Sequence, residues 1–166
     1  LTHAAEKQSP LYRLGKDYYY AIDGDQLHYQ FGPENLSCPK PKLRCDHAAT
    51  ALTTVSLLSQ LLPVSASSCI TGIATARALG RFQVIAEKPI VVVDVAHNPE
   101  ATRYLAEQLE QYFPDYQRVA VVGMFKDKQI KASLQPMMAV IDTWYFASLD
   151  SERGASAKQL LAQANL

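Results

Sequence analysis

The sequence predicts an α/β fold whose second half is a mostly parallel, doubly wound sheet, and three observations carry that expectation. After Gly80, short apolar runs alternate with helical patterns in succession, the signature of strand–helix units joined by right-handed crossovers. The run Ile90-Val91-Val92-Val93-Asp94-Val95 is continuous rather than alternating, as in a strand buried on both faces. The residues before Gly80 differ in texture, with aromatic runs broken by turn residues and then two helical patterns. Two domains are therefore expected, residues 1–79 and residues 80–166.

In chain order, Leu11 to Leu14 precedes a Gly15-Lys16-Asp17 turn. Tyr18 to Ile22 and Gln26 to Phe31 then flank Asp23-Gly24-Asp25, a strong short-range hairpin signal. That triplet lacks the later ligands and closing Glu of a calcium loop, so it reads as a turn. Residues 32–45 carry three prolines and read as a loop. Asp46 is placed as the N-cap of a helix in which Ala48, Leu52, Val55, Leu58 and Leu62 recur at steps of three and four, with Pro63 as the stop. A shorter helix should start at Ser67 or Ser68 and turn Ile70, Ile73 and Ala74 inward.

Beyond Gly80, Arg81 to Ala86 reads as a strand, Glu87-Lys88-Pro89 as a turn and Ile90 to Val95 as the buried strand. Asn98-Pro99-Glu100 opens a helix: Asn caps it, Pro takes the first helical position and Glu favours the positive end of the dipole. Ala101, Leu105, Leu109 and Tyr112 mark its buried face, and Pro114 closes it. Val119 to Gly123 is the next strand, followed by a helix towards Ile141 capped by Asp127. Pro136 should kink or divide that helix. Thr143 to Ala147 is a third strand, and Ser156 caps a last helix. A sheet that stops on a helix is expected to be incomplete at its C-terminus.

Lys+Arg and Asp+Glu each number 16, so no basic excess points to nucleic acid. No apolar run approaches the ~20 residues of a membrane helix, and no charged start leads into a signal-peptide core. Cys38, Cys45 and Cys69 are odd in number and show no C-x-x-C spacing, which fits reduced thiols in the cytoplasm better than a disulfide scaffold or a metal site.

In an open α/β sheet, ligands bind where strands end and helices begin. The first such junction here is Val93-Asp94-Val95-Ala96-His97-Asn98-Pro99. Asp94 can accept hydrogen bonds from a sugar diol or brace the turn through backbone N–H groups. His97 precedes a helix N-terminus, where free N–H groups attract an anion such as phosphate. Arg153, in a Glu-Arg-Gly turn at the same sheet edge, reads either as a carboxylate binder or as a surface arginine. Lys126 and Lys128 read as a solvated basic turn, with anion binding second.

Gly80-Arg81-Phe82-Gln83, Asp94-Val95-Ala96-His97-Asn98-Pro99 and Gly123-Met124-Phe125-Lys126-Asp127-Lys128 together resemble the carboxy-terminal part of the bacterial dihydrofolate synthase/folylpolyglutamate synthase family, within the Mur ligase superfamily. Trp144-Tyr145 and Arg153-Gly154-Ala155-Ser156-Ala157 extend the likeness. The resemblance implies that residues 1–79 are the tail of a central ATPase domain and residues 80–166 a truncated, Rossmann-like glutamate-ligase domain.

It further implies an ATP-dependent ligase that adds L-glutamate to dihydropteroate or folates through an acyl phosphate, with Mg2+ bridging phosphate oxygens. On this reading His97 is the catalytic residue near the γ-phosphate and the incoming glutamate. Arg81 contacts phosphates, Asp94 the ribose side, and Asn98 belongs to the same ATP site. The family's adenine contact is an asparagine where this sequence has His47, which cannot reproduce a paired carboxamide. The family's P-loop, magnesium ligands and carbamylated lysine lie in a preceding domain, so no metal ligand is assigned here, the fragment is expected to be inactive and the whole enzyme a monomer. The competing class is a non-catalytic doubly wound nucleotide- or anion-binding module, for which the same strand-end site would suffice.

Overall fold

Tyr18, Leu27 and Tyr29 are the apolar positions that alternation sends to one side of a hairpin, and in the computed structural model, which describes residues 2–164, they are buried together. The chain divides into two units, Leu1–Ala78 and Leu79–Leu166.

The first unit begins with a short helix, α1 (Thr2–Glu6), followed by three strands, β1 (Tyr18–Asp23), β2 (Gln26–Phe31) and β3 (Glu34–Pro39). All pairing is antiparallel, in the order β1-β2-β3. Asp23 pairs with Gln26, so the hairpin turns where the sequence places it. The proline-rich segment expected to be a loop is instead the third strand. Pro33 falls in the turn before β3 and Pro39 at its last position, on an edge strand where a missing N–H is tolerated. Leu36 and Cys38, two residues apart, turn towards the core.

Helices α2 (Cys45–Leu57) and α3 (Ala66–Thr75) cover that sheet. Ala48, Ala49 and Leu52 meet Leu27, Tyr29 and Cys38, and Ile70 and Ile73 join from α3. The tyrosine hydroxyls stay satisfied inside: Tyr18 pairs with Thr50 and Tyr29 with Thr53, each at 2.9 Å. Three details depart from expectation. Arg44, not Asp46, holds the cap position, and Asp46 lies in the first turn, where its carboxylate accepts from Arg44 and from the His47 N–H. α2 stops at Leu57 because the chain then tightens into i to i+3 bonds at Ser59 and Leu61, leaving Leu58 and Leu62 exposed. Ser65 caps α3 by accepting from the Ser68 N–H.

The second unit runs β4 (Gln83–Glu87), β5 (Ile90–Val93), α4 (Pro99–Tyr112), β6 (Val119–Val122), α5 (Ile130–Leu134), a 3-10 turn at Gln135–Met137, β7 (Thr143–Phe146) and α6 (Ala157–Ala164). Three strand–helix units follow one another as the sequence predicts, and β6 and β7 pair in parallel. Pro136 divides the helix after β6 by opening the 3-10 turn.

β5 departs from expectation. It pairs antiparallel with β4, ends at Val93 rather than Val95, and is not buried on both faces: Val91 and Val93 are 36% and 38% exposed. Its other edge does not reach β6. A cavity of about 1020 Å³ lies between them. That opening also alters α4, whose most buried residues are Thr102, Ala106 and Gln108, whereas Leu105 and Leu109 line the cavity and Tyr112 is exposed. Asp127 does not cap α5, which begins after Gln129 without a side-chain cap. Ser156 does cap α6, in a reciprocal box: the Gln159 N–H donates to Ser156 Oγ and the Ser156 N–H to Gln159 Oε1.

Candidate functional site

The site is built where the turn before β4 meets the turn after β5. The Val95 N–H donates to the Gly80 carbonyl at 2.8 Å, and the Gly80 N–H donates to Gln83 Oε1 at 2.9 Å. Between these contacts the Asp94 carboxylate closes the lattice. One oxygen accepts the Phe82 N–H and the other the Ala96 N–H, both at 2.7 Å. Arg81 therefore stands between two residues that are each bonded into the 94–96 turn.

Phe82 adopts a φ of +41°, a costly conformation for an aromatic residue. Two anchors hold it there: the Asp94 carboxylate on its N–H, and ring contacts to Tyr112 and Phe113 with centroids 5.5 and 6.1 Å away. Gly80 has a φ of +64°, and a Cβ there would lie 2.9 Å from Val95 Cγ1, so the two turns approach closely because Gly80 has no side chain.

The exposed side chains follow from this frame. The Arg81 guanidinium is exposed and has no hydrogen-bond or ion-pair partner among the described residues. His97 is exposed, with Nδ1 2.9 Å from the Val95 carbonyl. A carbonyl only accepts, so Nδ1 carries the proton and Nε2 of the neutral ring keeps its lone pair for a ligand. Asn98 caps α4, its Oδ1 accepting the Ala101 N–H at 2.9 Å. Its side-chain amide N–H groups stay available.

At the ends of β6 and β7 the loops are cross-linked. The Lys126 N–H donates to Arg153 O and the Ala155 N–H to Met124 O. Arg153 Nη2 lies 2.8 Å from Asp127 Oδ2, and its guanidinium covers the Phe125 ring at 4.9 Å. The Asp127 carboxyl is held below its usual range, first by the Arg153 hydrogen bond. Gly154 makes this loop possible, since a Cβ there would lie 2.0 Å from the Leu149 carbonyl oxygen.

Of the residues singled out in sequence, Arg81, Asp94, His97 and Asn98 thus belong to adjoining turns of the second unit. His47 lies in the first unit, exposed in the first turn of α2. Gly80, Phe82 and Gly154 stand in the motifs quoted from the sequence, but the sequence assigned none of them a part in this geometry. Among the described residues no three or more His, Cys, Asp or Glu side chains gather as a metal site.

The second unit is thus a mixed α/β domain with parallel and antiparallel strand pairs and with Arg81 and His97 exposed at its strand-end turns. The family described as Mur ligase, glutamate ligase domain, matches residues 80–166. The chain belongs to that family.

The dihydrofolate synthase/folylpolyglutamate synthase of Escherichia coli is 38% identical over 159 residues, 95% of this chain and 37% of that protein. The enzyme of the same name from Buchnera aphidicola subsp. Baizongia pistaciae is 34% identical over 128 residues, 76% of this chain and 29% of that protein. Among solved structures, E. coli FolC in complex with ADP, without folate substrate, superposes with a TM-score of 0.88 at 36% identity, over 99% of this chain and 40% of that one. A bifunctional folylpolyglutamate synthase/dihydrofolate synthase with Mn, AMPPNP and L-glutamate bound gives a TM-score of 0.84 at 39% identity, over 96% and 38%. The chain spans at most 40% of the length of these relatives.

Proposed function

We propose that this chain is the carboxy-terminal portion of a cytoplasmic, ATP-dependent ligase that joins L-glutamate to dihydropteroate or a reduced folate and extends folates by polyglutamylation. The observation that carries the reading is the laced pair of turns, which presents Arg81 and His97 at the strand ends with their functional groups unused. ATP, with Mg2+ held by residues outside this chain, transfers its γ-phosphoryl group to the substrate carboxylate, leaving ADP and an acyl phosphate, and the glutamate amino group, once its ammonium has lost a proton, displaces phosphate to form the amide.

Each residue has a task in that reaction. Arg81 offers a guanidinium to phosphate oxygens, where a fork of donors suits an anion. The helix that starts at Pro99 turns its N-terminal dipole towards the same charge. His97, with its proton fixed on Nδ1, uses Nε2 to take a proton from the glutamate ammonium or, once protonated, to bind phosphate. Asp94 keeps a further lone pair on each oxygen for ribose while bracing the turn, and Asn98 adds amide donors. Residues 1–79 belong to the ATPase domain that precedes the ligase domain. Three free thiols suit a reducing compartment.

The test is phosphate release by the full-length protein with ATP, magnesium, dihydropteroate and L-glutamate. Release that requires glutamate and yields the amide supports the reading. Nucleotide binding without turnover in any combination of these substrates would instead identify a non-catalytic nucleotide-binding module.

A further inference from the structure

We infer that Phe82 is a positioning residue for Arg81, and that the aromatic end of α4 holds it to that task. The inference rests on the reading of Arg81 as the guanidinium that meets phosphate oxygens, and adds the packing that fixes where that guanidinium stands. Arg81 has no hydrogen-bond or ion-pair partner among the described residues, so no such contact sets its direction. Its placement is inherited from its two backbone neighbours, Gly80 and Phe82, both at positive φ, +64° and +41°.

Glycine reaches that region freely, whereas an aromatic residue does not. Without restraint Phe82 would relax to a negative φ, which swings its N–H off the Asp94 carboxylate and re-aims Arg81. A backbone conformation of this kind persists only where the surroundings over-determine it. Here three rings supply the restraint that the carboxylate alone does not. The Phe82 ring stacks on Phe113 with planes 23° apart and centroids 6.1 Å apart, and tilts against Tyr112 at 5.5 Å. Tyr116 closes the group, edge-on to Phe113 at 5.8 Å.

The anchor is itself fixed. The Phe113 N–H donates to the Leu109 carbonyl at 3.0 Å, and the Phe113 carbonyl accepts from Arg118 Nη2 at 2.7 Å. Arg118 Nη1 ties the same point to the Val140 carbonyl at 3.1 Å. α4 thus carries the Asn98 cap at its start and the aromatic anchor at its end. One helix of 14 residues, about 21 Å long, therefore references both turns of the site, His97 and Asn98 through its first residue and Arg81 through its last.

A double-mutant cycle on the full-length protein tests this, with binding of a non-hydrolysable ATP analogue and magnesium measured by calorimetry. Phe82→Ala should weaken binding on the order of tenfold, the worth of one hydrogen bond to a charged group, and Arg81→Ala should do the same. The double variant should bind no more weakly than Arg81→Ala, because a residue that acts through the guanidinium has nothing left to act on. Phe82→Gly reaches the positive φ without strain, so it should melt above Phe82→Ala yet bind the analogue as weakly. Phe82→Tyr keeps the ring and should bind as the parent does. Losses that add in the double variant, or affinities that follow melting temperature across the Phe82 variants, make the ring ordinary packing and overturn the inference. A loss at Arg81→Ala with none at Phe82→Ala overturns the inference alone, whereas no loss at Arg81→Ala removes the phosphate reading of Arg81 and the inference with it. If Phe82→Ala does not fold, Phe113→Leu, which keeps apolar bulk but removes the stacked ring, is read against Arg81→Ala in the same way.

Discussion

The Asp94 carboxylate holds the Phe82 N–H at 2.7 Å across twelve residues of sequence, and so ties the turn that carries Arg81 to the turn that carries His97. Replacing Asp94 with Ala removes an acceptor from two half-buried N–H groups at once. A loss of roughly 1–3 kcal/mol of stability is expected, together with weaker nucleotide binding in the full-length protein, since Arg81 is no longer held. Chemical denaturation and a nucleotide titration on the same variant measure the two effects. Full stability with unchanged nucleotide affinity would remove Asp94 from both roles.

Gly80→Ala tests the close approach of the same two turns. The substitution puts a side chain at a φ of +64° and a Cβ 2.9 Å from Val95 Cγ1. The left-handed conformation alone costs roughly 1–2 kcal/mol, and the contact adds to it. A lowered melting temperature is expected, accompanied by reduced ATP affinity in the full-length protein. A variant that melts with the parent and binds ATP equally well would show that the turns do not need this approach.

Much of this architecture was legible in the sequence because local chemistry decided it. Asn98 and Pro99 open α4 and Pro136 divides the following helix. Ser156 pairs with Gln159 three residues on, as a capping box does. What could not be read depends on partners distant in sequence. Pro33 and Pro39 hid β3, because only the pairing with β2 shows that they lie outside its hydrogen-bonded middle. The apolar run at β5 specified a strand but not the antiparallel neighbour it takes. Asp94 was legible as a strand-end carboxylate, yet its grip on Phe82 exists only after β4 and β5 fold together.

Gly154→Ala should be among the most damaging single substitutions in the second unit. Its Cβ would stand 2.0 Å from the Leu149 carbonyl oxygen, a backbone atom that cannot swing aside. The loop must move, breaking the Lys126-to-Arg153 and Ala155-to-Met124 hydrogen bonds and separating Arg153 from Asp127. A loss of about 2 kcal/mol or more is expected from strain of this kind. Calorimetry measures it, and parental stability would contradict the tight crossing.

Acidification should weaken the first unit through Asp46. Its carboxyl is held below the usual carboxylate range, first by the Arg44 hydrogen bond. A group with a lowered folded value stabilises the fold above its unfolded pKa and loses that contribution as pH falls through the folded one. Urea unfolding followed across acid pH should show this decline, and Asp46→Asn should remove part of its slope. An unchanged slope would mean that the Arg44 pair contributes nothing to folding.

His97→Ala should separate chemistry from folding more cleanly than any other change at the site. The ring is exposed, and its one recorded bond is the Nδ1 contact to the Val95 carbonyl, so little stability depends on it. A proton-transfer role predicts a fall in kcat of roughly 10²–10⁴-fold in the full-length protein, with the melting temperature nearly unchanged. His97→Gln retains hydrogen-bonding capacity but cannot shuttle a proton, so it should bind nucleotide like the parent and turn over slowly. Parental kcat in both variants would move the proton acceptor elsewhere and leave His97 as a surface residue beside the site.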